Sequence, residues 1–228
     1  MGMIGPMDTT LAFDVYGTLI DPLGISSELR KLIGKSGPVF ASAWRDKQIE
    51  YLFRRGLGRD YVSFSSCTRQ ALDYTCQATG NDLSTGHREA LMACYKDLPA
   101  YPGTAVALTH LKEAGFSNYA FSNGDPKDLA TLFRNAGLES SLDGLVSVQS
   151  VRSFKPDPAV YAHFCAVAES KPEDTWLISG NPFDVIGAAK CGWRTAWVRR
   201  NPAQLFDPWG CGPTVIVDDL SELLAVIG

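Results

Sequence analysis

The chain has little of what several common chemistries require. Its 228 residues include only three histidines, His87, His110 and His163. An imidazole-centred mechanism therefore has few candidates, and each of the three reads as a helix-surface residue. The six cysteines, Cys67, Cys76, Cys94, Cys165, Cys191 and Cys211, are scattered, with no C-x-x-C pair and no histidine at ligand spacing. That argues against a zinc site, and buried free thiols in a reducing cytoplasm are the expected state. No apolar stretch approaches the ~20 residues needed to cross a bilayer. Met1 to Thr10 carry no charged n-region and no signal-like apolar block, which argues against secretion. Lysine and arginine form no run and the formal net charge is -4, so neither nucleic acid nor a membrane is an expected partner.

What is present is ordinary globular composition, 45% hydrophobic and 20% charged, with enough chain for a sizeable core. Leu11, Ala12 and Phe13 are apolar on consecutive residues, as a strand covered on both faces should be. The pattern then turns helical for about eighty residues. Ile25 to Ile33, Pro38 to Arg55, Tyr61 to Thr79, and Ser84 to Lys96 with Ser84 as N-cap read as four helices without an intervening strand. From Tyr101 the rhythm alternates. Helices are expected from Pro102, Asp125, Asp157, Pro182 and Ser221, and strands over 119–121, 145–148, 175–179, 195–199 and 214–217. This βαβα order implies an α/β fold, a doubly wound parallel sheet of Rossmann-like type. A helical bundle follows strand one. The expected division is a core of 1–20 and 100–228 with a cap of 21–99. Trp176, Trp193, Trp197 and Trp209 are expected in core or edge packing.

Four places fall at the carboxyl ends of expected strands, the edge where open α/β sheets collect ligands. They are Asp14, Ser122-Asn123, Lys155, and Ser179 to Asp184. Each also has an ordinary explanation. Asp14 and Ser122 suit turns, and Lys155 suits an extended, solvated loop before Pro156. Arg45 suits a solvated helix face, Tyr161 a packed helix, and Asp184 the positive end of a helix dipole. Their convergence on one edge is what independent explanations do not provide.

The four stretches Asp14-Val15-Tyr16-Gly17-Thr18-Leu19, Ser122-Asn123-Gly124, Phe154-Lys155-Pro156-Asp157 and Ser179-x-Asn181-x-x-Asp184 resemble the haloacid dehalogenase-like superfamily over nearly the whole chain. Phosphatases of that superfamily carry a second Asp two residues after the nucleophile, where this chain has Tyr16. A phenol cannot serve there as acid and base at neutral pH, and a departing halide needs no proton. In the last motif Asp184 is the only acid, a poor set for Mg²⁺. The helix Trp44-Arg45-Asp46-Lys47-Gln48-Ile49-Glu50-Tyr51 is similar to one in the L-2-haloacid dehalogenases.

That resemblance implies hydrolysis of short (S)-2-haloalkanoic acids to (R)-2-hydroxy acids through an aspartyl ester, with inversion and with no metal or organic cofactor. It implies Asp14 as nucleophile, Lys155 as its counter-charge, and Ser122 with the N–H groups after Asp14, beginning at Val15, on the substrate carboxylate. Arg45, Asn123 and Phe183 would cradle the halide. Asp184 would activate water, with Thr18, Ser179 and Asn181 orienting groups and Tyr161 supporting the network. Tyr16, Ile49 and Phe64 would form the wall around the alkyl group. By analogy a cytoplasmic homodimer is expected. The remaining alternatives are a Mg²⁺-dependent phosphatase of the same fold, and a catalytically idle binding protein. Three positions depart from the dehalogenase pattern: Asp46 where Gln is frequent, Gly180 where Ser is, and Phe183 where Trp is. Asp46, adjacent to Arg45 on a helix, is expected to face solvent.

Overall fold

The computed structural model describes residues 9–228. The reading of the first residues as lacking a leader therefore falls largely outside the described residues, as does the start of the expected core at residue 1. Thr10–Phe13 forms β1, buried along its whole length. Burying one side chain such as Phe13 contributes roughly 1.5–3 kcal/mol, so this strand firmly anchors the loop at its carboxyl end. Four helices come next: α1 (Ser26–Ile33), α2 (Gly37–Leu57), α3 (Phe64–Thr79) and α4 (Thr85–Cys94). They pack on one another through α1–α2 and α2–α3.

The chain then alternates through α5 (Thr104–Glu113), β2 (Ser117–Ser122), α6 (Pro126–Asn135), β3 (Gly144–Ser147), α7 (Pro158–Val167) and β4 (Thr175–Ser179). It closes with α8 (Pro182–Lys190), β5 (Arg194–Val198), β6 (Val215–Val217) and α9 (Leu223–Ile227). Proline at the first helical turn opens α6, α7 and α8, where its missing N–H leaves no intrahelical bond unmade.

The six strands found among the described residues lie in one parallel sheet in the order β3-β2-β1-β4-β5-β6. The doubly wound α/β architecture is thus present. β1 lies between β2 and β4, so the strand order reverses beside it and opens a crevice at the carboxyl ends of β1 and β4. Asp14 follows β1 directly and its N–H donates to Ile178 O of β4 at 3.0 Å.

Element boundaries differ from expectation where side chains cap the backbone. The strand expected over 145–148 ends at Ser147, whose Oγ accepts from Gln149 N and donates to Gly124 O. A 3₁₀ turn occupies Val148–Val151. The helix expected from Tyr61 starts at Phe64, because Ser63 Oγ accepts from Ser66 N. Trp176, Trp193 and Trp197 are buried, but Trp209 is 65% exposed. It lies in a turn outside the sheet, with its N–H on Asp207 O, and so has no layer to pack into. All six cysteines are free, and among the described residues no helix is long and apolar enough to cross a membrane.

Candidate active site

The strand-end residues converge around one ammonium group. Lys155, 1% exposed, places Nζ 3.3 Å from Asp14 Oδ1 and 2.8 Å from Asp184 Oδ2. The same nitrogen donates to Phe121 O at 2.8 Å and lies 4.0 Å from the centre of the Phe121 ring. A lysine at such depth is tolerated because every direction from the ammonium meets a carboxylate, a carbonyl or a π-face. The solvated-loop reading of this residue does not hold. Asn123 secures the backbone of the same turn, its Oδ1 accepting from Lys155 N at 2.9 Å.

The two oxygens of Asp14 have different surroundings. Oδ2 accepts from Thr18 Oγ1 at 2.8 Å and from Asn181 Nδ2 at 2.7 Å, while Oδ1 faces Lys155. Thr18 also accepts from Gly180 N, and Asn181 also donates to Tyr16 O. The two loops are thereby held against each other. A Cβ at Gly180 would stand 2.3 Å from Gly17 O, so the serine frequent at this position could not fit here without moving the backbone. The loop itself closes through Gly17 N to Ile20 O and through Val15 O, which accepts from Thr18, Leu19 and Ile20. The N–H groups of Val15 and Tyr16 make none of these closing bonds.

Asp184, in the first turn of α8, is fully buried. Burial pushes its carboxyl above the usual carboxylate range; Asp14's charge adds to the rise, while Lys155 and the Tyr161 hydroxyl oppose it. Tyr161 donates to Asp184 Oδ1 at 2.8 Å, and burial raises its own phenol well beyond the ordinary range. Gly187 permits this contact, since a Cβ there would lie 2.4 Å from the Tyr161 hydroxyl. Ser122 is buried with Oγ accepting from Gly124 N at 3.0 Å, leaving its proton to be donated elsewhere. Ser179 is likewise buried and receives Asn181 N.

The helical segment reaches this edge through Arg45 on α2. Its guanidinium donates to Tyr16 O at 3.1 Å and to Gln48 Oε1 at 2.7 Å, so it is not a free surface cation. Asp46 beside it is exposed, as expected. Ile49, half-buried, follows one turn later. Phe64 stacks on Tyr16 with ring centres 5.0 Å apart and planes 16° off parallel, and Tyr95 tilts against Tyr16 and Trp44. Burial pushes the Tyr16 phenol upward, so it is a neutral wall rather than an acid–base group. Phe183 packs edge-on against Phe53, eight residues and about 12 Å along α2 from Arg45. Its ring therefore sits at the junction of α8 with α2. Beside the Tyr16–Phe64 pair lies a cavity of about 820 Å³, bordered also by Thr68, Tyr95 and Asp125.

Sequence reasoning missed the groups that hold Arg45 and Thr18. Fully buried Gln48 donates to Thr68 Oγ1 at 2.5 Å and receives the Tyr95 hydroxyl at 3.4 Å. Trp44 Nε1 donates to Thr68 O. The three-residue spacing from Arg45 to Gln48 was a legible helix pair. Arg200 donates to Thr18 O at 2.7 Å from a position over the Tyr101 ring, and nothing in its own surroundings in the sequence signals this.

The family model of haloacid dehalogenase-like hydrolases matches residues 9–192. The haloacetate dehalogenase H-2 of Moraxella sp. (strain B) is 33% identical over 219 residues, 95% of this chain and 97% of that protein. An (S)-2-haloacid dehalogenase of Pseudomonas fluorescens is 33% identical over 92% of both chains. The solved structure of the L-2-haloacid dehalogenase from Xanthobacter autotrophicus with chloropropionic acid covalently bound superposes with a TM-score of 0.91 at 29% identity. That match covers 97% of this chain and all of the other (100%).

Proposed function

Since this chain belongs to the haloacid dehalogenase-like hydrolases, we propose that it is a hydrolase of carbon–halide bonds. Its substrates are short (S)-2-haloalkanoic acids and its products the (R)-2-hydroxy acids. The observation that carries the reading is the placement of Lys155 Nζ between the carboxylates of Asp14 and Asp184. The positive charge that lets an anionic nucleophile meet an anionic substrate is built into the chain. A metal is not required for that purpose, and among the described residues no group of three or more acids, histidines or cysteines could hold one.

Asp14 Oδ1 attacks the substrate Cα opposite the halogen. The carbon–halogen bond breaks, halide leaves with the electron pair, and the carbon inverts. Oδ2 becomes the ester carbonyl oxygen. Its bonds from Thr18 and Asn181 support this assignment, because they lie where negative charge collects when the ester is attacked. Asp184, poised by burial toward a higher pKa, takes a proton from water as the water adds to the ester carbonyl carbon. Collapse of that adduct breaks the ester carbon–oxygen bond; the departing hydroxy-acid oxygen takes the proton held by Asp184, and the second water proton passes from the Asp14 carboxyl to solvent, which restores both carboxylates.

Ser122 and the N–H groups of Val15 and Tyr16 receive the substrate carboxylate. Arg45, held against Tyr16 O, turns its remaining N–H groups with Asn123 Nδ2 toward the halide, while Phe183, seated against Phe53 about two turns along α2 from Arg45, bounds the cleft there rather than at the halide. Tyr16, Ile49 and Phe64 bound the alkyl group. Ser179 fixes Asn181 through its backbone, and Tyr161 fixes Asp184. Residues 21–99 act as a cap domain over a core of residues 1–20 and 100–228.

The test is halide release from chloro-, bromo- and fluoroacetate and from both 2-chloropropionate enantiomers in excess chelator. It runs beside hydrolysis of a generic phosphate ester with Mg²⁺. Chelator-resistant halide release from the (S)-enantiomer supports the reading. Phosphate-ester turnover without halide release defeats it.

A further inference from the structure

Asp125 stands at the N-cap position of α6, yet its side chain makes no bond to the first turn of that helix. Its Oδ2 instead accepts the N–H of Ser65, at 3.0 Å and sixty residues away in the chain, in the first turn of α3. Ser63 Oγ already receives Ser66 N from the same turn. The amino end of α3 is thus capped twice, once by its own chain and once by a carboxylate from beyond β2. An anion at the positive end of a helix, accepting a backbone N–H, makes a charge-assisted bond stronger than a neutral one.

Two features give this tie a consequence at the site. Phe64, the residue before Ser65, is the ring stacked on Tyr16. Asp125 also lies two residues after Asn123, whose side chain holds Lys155 N. One short turn therefore grips Lys155 on one side and α3 on the other. The stacked rings of Phe64 and Tyr16 are the apolar contact at this seam, and the cavity of about 820 Å³ opens beside them, with Ser65, Asp125, Lys96 and Asp128 on its border. The neighbouring ion pair, Lys96 to Asp128 at 2.8 Å, is more exposed, with side chains 49% and 27% accessible, and so is more screened.

Resting on the dehalogenase reading above, we infer that Asp125 is a positioning residue that holds α3 down so that Phe64 completes the substrate wall over Tyr16. It sets the fraction of molecules competent to bind. A fall in that fraction raises the apparent dissociation constant in proportion and leaves the chemistry of bound substrate unchanged.

The experiment compares Asp125→Ser and Asp125→Asn with the wild type, by steady-state kinetics on (S)-2-chloropropionate and by amide exchange at Ser65 without substrate. Serine supplies an ordinary cap to α6 and keeps the fold intact, but it is too short to reach α3. Asparagine keeps an oxygen acceptor of the original reach. Asp125→Ser is expected to raise KM about tenfold with kcat within about twofold, and to speed exchange of the Ser65 amide at least about tenfold, since exchange follows the open fraction. Asp125→Asn is expected to restore both to within about threefold. An unchanged KM in Asp125→Ser, a loss confined to kcat, or an Asn variant as impaired as the Ser variant overturns the proposal. Wild-type protein that releases no halide defeats the dehalogenase reading instead, and the exchange data then still judge the tie.

Discussion

The sheet edge and the helical segment build their halves of the site by opposite means. The sheet edge concentrates charge: two carboxylates and an ammonium, each at most 8% exposed, held by backbone that the parallel strands fix. The helical segment contributes one cation, Arg45, and steadies it with neutral groups, Gln48, Thr68 and Tyr95. Under the proposed mechanism the difference reflects what each side is asked to do. Bond making at Asp14 needs fixed charges that do not reorganise. A group meeting a departing halide must only stay aimed, and a chain of neutral hydrogen bonds does that without burying further charge.

If the division is right, substitutions at the edge must remove chemistry, and substitutions in the helical segment must weaken it. The largest effect is expected for Asp14→Asn, with turnover falling at least about 10⁴-fold because no ester can form. Halide-release assays at high enzyme concentration check this. Lys155→Met comes next: about 10³-fold in kcat, together with about 3–5 kcal/mol of stability, since two buried carboxylates lose their counter-charge. Urea denaturation at pH 7 measures the second part. A Lys155→Met protein of wild-type stability would mean that the pairs on the edge are not what holds it.

Arg45→Ala is expected to lower kcat about 10²-fold with little change in stability, because Gln48 Oε1 keeps the Tyr95 hydroxyl and Tyr16 O keeps Asn181 Nδ2 when the guanidinium is gone. An equal loss of activity and stability would erase the distinction between the two halves.

The smallest change is expected for Tyr161→Phe, read as a pH profile. Burial raises the Asp184 pKa, so the acid limb of kcat lies above the ordinary carboxylate range. The Tyr161 hydroxyl favours the charged form, and its loss moves the limb to still higher pH. The stability sign is opposite to that of an ordinary ion-paired acid. A raised folded pKa contributes stability below the unfolded value, which is lost as pH rises through the folded one. Kinetics and melting curves against pH, run on the same variant, test both statements.

The two halves were also unequally legible in the sequence. Apolar runs ending in Asp, Ser-Asn and Ser-x-Asn declare the strand ends by chemistry that is local to each stretch, and the parallel order then places them on one edge. Lys155 alone reads as a loop lysine, and only the fold reveals that its ammonium meets two acids separated from it by 141 and 29 positions. The helical segment is harder. The Gln48–Thr68 bond depends on how α2 and α3 pack, which their periodicity does not state. Arg200 reaches under the loop after Asp14 from just past the strand after next in the sheet, and Gly187 matters because Tyr161 and Pro156 crowd against it. Trp209 misled for the converse reason, since an aromatic residue near an edge strand carries no record of lying in a turn.

The central claim is that the hydroxyl oxygen of the product comes from Asp14, through an ester opened at its carbonyl carbon. A single turnover in H₂¹⁸O with enzyme in excess over (S)-2-chloropropionate tests it directly by mass spectrometry of both partners. Unlabelled 2-hydroxypropionate of (R) configuration is expected, with one ¹⁸O in the peptide that contains Asp14. Labelled product with an unlabelled peptide would mean that water attacks the substrate itself, and would contradict the claim.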